Sequence, residues 1–190
     1  MGLTISKQQI AELDKVLFYG DIVVIDHLAQ VKDAVDHLSS NIAVGFDTET
    51  KPAFKRGQIN NVALLQLATE EECFLFRLNK IGYPKELENF MCDINIKKIG
   101  LSLRDDFAAL RKHTVKKPEN FIDLQLFVDK FDIEDNSLQK IYAILFGQKI
   151  SKSQRLSNWE AAELSPAQQS YAAIDAWACL RIYNHLTQKS

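Results

Sequence analysis

The distribution of apolar positions along the chain divides it into alternating helical and extended stretches. Ile10, Leu13, Val16 and Leu17 recur at helical spacing and predict a helix over Lys7–Phe18, stopped by Gly20. Asp21–Ile25 reads as a short buried strand, and Val31, Ala34, Val35 and Leu38 form one stripe of a helix. Three apolar runs follow, Ile42–Asp47, Val62–Ala68 and Cys73–Leu78, punctuated by Gly57, Asn60 and Asn61 and by the turn Glu70, Glu71, Glu72. They predict an antiparallel β-meander. Beyond Pro84 the spacing turns helical through Leu87, Phe90 and Met91. A short strand is expected over Lys98–Leu101, and a helix over Asp106–Lys112 with an uncertain start, because Ser102 and Asp105 have the spacing of a capping box. Phe121–Asp123 reads as a further strand, Leu124–Phe131 and Leu138–Phe146 as amphipathic helices, and Lys149–Asn158 as a polar loop. The last helix is the clearest: Ser165 is a good N-cap, Pro166 suits the first turn, Gln168 completes the box, and the helix should reach about Leu186.

Strands early, one strand between helices, then a helical end: that order implies an α/β fold, a mixed sheet with helices on its faces. With 190 residues and no internal repeat or linker, one domain over 1–190 is expected. Hydrophobic residues make up 46% and charged residues 25%, the balance of a soluble globular protein. The net charge of −2 excludes a global basic field. Between Lys97 and Lys117, however, seven Lys or Arg face only Asp105 and Asp106, a locally basic face compatible with phosphate contacts. Cys73, Cys92 and Cys179 are scattered, without a C-x-x-C, so neither a zinc site nor a disulfide framework is indicated. The N-terminus lacks a long apolar segment. A cytoplasmic protein without signal peptide or membrane span is therefore expected.

The candidate chemistry lies in four acids. Asp47 and Glu49 are two apart at the end of a strand and so share a face, where like charges repel unless protons or a cation intervene. Oxygen ligands at that spacing suit Mg²⁺ or Mn²⁺; a pair of solvated turn residues is the alternative. Asp106 stands at the opening of a helix after a buried-looking strand. Asp175 is surrounded by apolar neighbours inside the closing helix, with Tyr171 one turn before it on the same face. Taken alone, that pair also reads as a hydrogen bond that orients a helix.

In their order, three motifs resemble the DEDD superfamily of 3′–5′ exonucleases, in the subclass with Tyr in its third motif. They are Phe46–Thr50, Gly100–Leu110 and Tyr171–Asp175. The text at Phe54–Gly57 and Val62–Ala68 is similar to the exonuclease domain of Werner-syndrome helicases. Leu156–Trp159 and Leu164–Gln168 are similar to that branch and to ribonuclease D. The resemblance implies an RNase H-like fold and hydrolysis of phosphodiesters from the 3′ end of DNA or RNA with two divalent ions, Mg²⁺ or Mn²⁺. Such ions, about 3.5–4 Å apart, stabilise the attacking and leaving oxygens. Asp47 would bridge both, Glu49 and Asp175 would complete one site, and Asp106 would support the other through water. Asp106 rather than Asp105 is selected because it precedes Phe107; Asp105 is then a cap or an outer group. Tyr171 would orient the attacking water.

For the nucleic-acid partner, Thr48 and Thr50 are expected to offer backbone groups to the terminal hydroxyl, Leu101 and Ser102 to wedge the terminal base, and Lys152 and Arg155 to meet phosphates. Gln66 is equally well a glutamine satisfied by backbone. Trp159 and Trp177 read as core. Two rival readings remain: a nucleic-acid-binding domain with little activity, and a carboxylate-pair glycosidase, which needs neither a metal nor Asp106 and Asp175.

Overall fold

The computed structural model describes residues 2–53 and 60–188, so the Phe54–Gly57 stretch lies outside the described residues. In chain order the elements are α1 (Lys7–Glu12), β1 (Asp14–Lys15), β2 (Asp21–Ile25), α2 (Leu28–Ser39), β3 (Ala43–Thr50), β4 (Val62–Ala68), β5 (Glu72–Phe76), α3 (Leu78–Ile81) and α4 (Lys85–Met91). Then come β6 (Lys97–Gly100), α5 (Leu103–Leu110), β7 (Phe121–Asp123), α6 (Leu124–Phe127), α7 (Leu138–Phe146), β8 (Gln148–Lys149) and α8 (Pro166–Thr187).

Six strands form one mixed sheet in the order β2-β5-β4-β3-β6-β7. The meander is present: β3 pairs antiparallel with β4, and β4 with β5. The outer pairings, β2 with β5, β3 with β6 and β6 with β7, are parallel. On one face α2, α4 and α5 cover Val44, Phe46, Leu65 and Leu67. On the other, α8 covers β4 and β5 through Ala172, Ala173 and Ala176, with α7 beside it. Burial on both faces explains why β4 reads as a continuous apolar run rather than an alternating one.

The closing helix begins as its cap signals dictate: Ser165 accepts from the Gln168 amide, and the Gln168 side chain returns to the Ser165 amide at 3.0 Å. Four expectations need correction. The first helix ends at Glu12, because Leu13 turns extended and β1 pairs in parallel with β8; Val16 is buried there, its amide on the Lys149 carbonyl at 3.0 Å. Lys149 accordingly opens on a short strand rather than a loop. Leu124–Phe131 is not one helix but α6 followed by a 3₁₀ turn, Val128–Phe131, closed by Asp132 in the left-handed region. Lys98 is not part of a basic surface. It is buried, its Nζ donating to the Asp93 carbonyl at 2.6 Å and facing the Phe90 and Phe121 rings. Among the described residues no helix is long and apolar enough to cross a membrane, and all three cysteines are free.

Candidate active site

The alternation of β3 decides which of its residues meet α8. Val44 and Phe46 point into the core under α2 and α5, so Gly45, Asp47 and Glu49 point the other way. Gly45 seats the helix: a Cβ built there would lie 1.9 Å from the Ala176 carbonyl oxygen. Asp175, the residue before Ala176, is thereby brought against Asp47 and Glu49. One oxygen from each of these three carboxylates lies within 4.8 Å of the others. Asp175 is only 8% exposed, and Asp47 and Glu49 are half-buried.

Asp106 reaches the site from the opposite layer. It stands in the first turns of α5 and accepts from the Thr48 hydroxyl, and Thr48 points to that layer. It is therefore outside the close trio, yet near enough for its charge to act on Asp47 and Glu49. Asp105 is exposed, and its charge raises Asp106.

Crowding shows in the acidities. Burial, then the charges of Asp175, Asp106 and Glu49, pushes Asp47 well above the usual carboxylate range. Burial and the charges of Asp175 and Asp106 push Glu49 up to about 8, against a smaller opposing pull from Arg155. Burial raises Asp175 to about 7, opposed by the Tyr171 hydrogen bond and Lys152, and raises Asp106 to about 6. The Tyr171 hydroxyl donates to Asp175, and burial beside these acids pushes it further above its ordinary value, so at neutral pH it is a donor and not a base. Oxygen donors this close and this reluctant to ionise together fit a hard divalent cation, which supplies the missing positive charge.

A cleft of about 190 Å³ adjoins Tyr171 and Asp175, lined also by Ser137, Gln139, Ser151, Lys152 and Arg155. A larger hollow of about 710 Å³ between Phe18, Trp177 and Arg181 contains none of the four acids. Trp159 is core, its ring 6.0 Å from that of Tyr171.

Beyond the site's acids, β6 leaves β3. Their pairing stops at Gly45 and Ile99, and the chain turns through Leu101 and Ser102, both half-buried, into α5. Ser102 occupies the left-handed region at φ 60°, and its side chain caps nothing, so the expected Ser102–Asp105 box is absent. Asp123, at the end of β7, does that work: its carboxylate accepts from the amides of Ser102 at 2.9 Å, Leu103 at 3.0 Å and Gln125 at 3.0 Å. An acid ending a predicted strand is the available signal for this role in the sequence, whereas nothing local marks Gly45. Thr50 lies past a bulge in the β3–β4 ladder, and the Thr48 amide bonds the Asp47 carboxylate.

Residues 22–190 match the family model described as 3′-5′ exonuclease. The chain is 33% identical over 161 residues to the bifunctional 3′-5′ exonuclease/ATP-dependent helicase WRN of Mus musculus, covering 82% of this chain and 12% of that protein. It spans 12%, 26% and 31% of the length of three curated relatives that it matches. The fold is that of the Nibbler EXO domain of Aedes aegypti, with a TM-score of 0.77, 21% identity and coverage of 100% and 92%. It is also that of Trypanosoma brucei RNase D in complex with RNA U12, with a TM-score of 0.78, 22% identity and coverage of 89% and 63%. The match over most of its length shows that the chain belongs to the 3′-5′ exonuclease family.

Proposed function

We propose that this chain hydrolyses the terminal phosphodiester at the 3′ end of a nucleic-acid strand, releasing nucleoside monophosphates, with a pair of divalent ions, Mg²⁺ or Mn²⁺. The observation that carries this reading is the convergence of Asp47, Glu49 and Asp175, from two distant parts of the chain, with Asp106 and Tyr171 at their side. Asp47, Glu49 and Asp175 would hold metal directly, and Asp106 would support the second ion. When bound, the ions neutralise the acids and stabilise charge on the attacking and leaving oxygens.

The protein's own groups do the rest. Tyr171, whose single proton is donated to Asp175, would orient water by accepting through its hydroxyl oxygen. Glu49 would act on that water alongside Tyr171. Thr48 fixes Asp106 through its hydroxyl and so takes part as an anchor of an acid as well as through its backbone. Asp123 locks the turn that presents Leu101 and Ser102 to the terminal base. Lys152 and Arg155 line the cleft beside Asp175 and would meet phosphates of the strand leading into the site.

Both sugars remain candidates: the WRN relative is a helicase with an exonuclease, and the RNase D structure holds RNA. A digestion ladder on 5′-labelled single-stranded and duplex DNA and RNA, with Mg²⁺, Mn²⁺ or EDTA, tests the reading. Shortening from the 3′ end that EDTA abolishes is the expected result. Binding without shortening would favour the binding-domain alternative, and activity in EDTA would overturn the metal assignment.

A further inference from the structure

β4 is buried along its whole length, and every residue in it except Gln66 is apolar. Gln66 is 0% exposed, and neither its Oε1 nor its Nε2 has a hydrogen-bond partner among the described residues. Leaving a buried polar group unsatisfied carries its desolvation cost, which leucine or methionine avoids. Such a group calls for an explanation in what it serves.

The register supplies one. Gln66 stands directly opposite Asp47, whereas Leu64 faces Glu49 and Ala68 faces Gly45. Directly opposed side chains share a face of the sheet, with Cβ atoms about 4.5–5.5 Å apart. The single polar side chain of β4 therefore lies beside the acid around which the other carboxylates gather. We propose that Gln66 is a positioning residue for Asp47: its amide holds that carboxylate, directly or through one buried water, in the orientation that presents it to a divalent cation. The proposal rests on the cation reading given above. An amide suits the place because it donates through Nε2 and accepts through Oε1, serving Asp47 whether ionised or protonated. It also adds no further charge to a crowded cluster.

The test uses Gln66→Met, which keeps length and removes both polar atoms. Mn²⁺ affinity by titration calorimetry should fall about 10–100-fold, as for groups that orient metal ligands from behind. Turnover should fall by a similar factor with KM for an oligonucleotide unchanged, and the metal-free variant should resist urea at least as well as the parent. An unchanged Mn²⁺ affinity in the folded variant overturns the proposal. Trp159 offers the competing explanation, since its Nε1 is also buried without a partner. If Gln66 serves the indole, Trp159→Phe will reproduce the Gln66→Met loss, which also overturns the proposal. A measurement on the parent protein needs no variant to fold: the Gln66 side-chain amide resonances should move on Mg²⁺ titration, and stationary resonances at saturation count against it. If the parent itself binds no Mn²⁺, the cation reading fails first, and this inference with it.

Discussion

Lys98 in β6 and Asp175 in α8 are both ionisable side chains withdrawn from water, and their surroundings differ in kind. The Lys98 ammonium faces the Phe90 carbonyl in the last turn of α4 and the Asp93 carbonyl just beyond it, with two aromatic rings beside it. Its neighbours complement a positive charge, although burial still draws it down to about 8. Asp175 faces two more acids, and its main partner in the protein is the Tyr171 hydroxyl. One group is buried with its complement, the other with its likeness. Under the cation reading proposed above, only the second arrangement calls for something the polypeptide does not contain, and that would separate a structural charge from a working one.

Removing one member of the like-charged group gives the largest expected change. Asp47→Asn should reduce hydrolysis by on the order of 10³-fold or more. The metal-free variant should also tolerate more urea than the parent, because crowding is relieved. A variant with normal turnover would break the comparison at its root. Gly45→Ala comes next. The added methyl collides with the Ala176 carbonyl, so α8 must move, at a cost of about 1–3 kcal/mol. The resulting shift of Asp175 should lower kcat by about 10²-fold. Loss of stability with full activity would show that the acids do not depend on this contact. Tyr171→Phe should lower kcat by about 10–100-fold with little change in substrate binding. An equal loss of affinity would make the hydroxyl a packing group.

The smallest effect concerns the structural charge. The folded Lys98 loses its proton near pH 8, below its ordinary 10.5, so the fold disfavours its charged form. That penalty is complete below about pH 8 and disappears as the pH rises towards 10.5. The stability of the parent relative to Lys98→Met, from paired urea titrations, should therefore increase across that window. A flat difference would mean that the carbonyls compensate the burial fully.

Much of this was legible in the residues. The meander, the closing helix and the ordering of the four acids follow from apolar spacing, cap residues and the period of a strand. What escaped depends on contacts between segments far apart. The helix expected through Phe18 yielded to pairing with β8, a partner about 130 residues away whose strand has only two residues. Local propensity cannot register such pairing. Ser102 read as a cap, but the real acceptor, Asp123, arrives from another strand. Gly45 looked like an ordinary glycine inside a strand, since nothing in the primary order shows that a helix carbonyl will rest on it. Lys98 illustrates the reverse error: counted as surface charge, it points inward because its position in β6 faces the core.

β3 continues from Phe46 to Thr50 after its last pairing with β6, and along that edge it has no strand partner among the described residues. A bare strand edge offers peptide donors and acceptors at fixed intervals, and peptide groups are blind to which base they meet. Under the reading proposed above, a chain terminus held there would be recognised by sugar and linkage alone. That indifference would suit stepwise shortening of a mixed sequence, since each removal would expose a different letter to the same peptide edge.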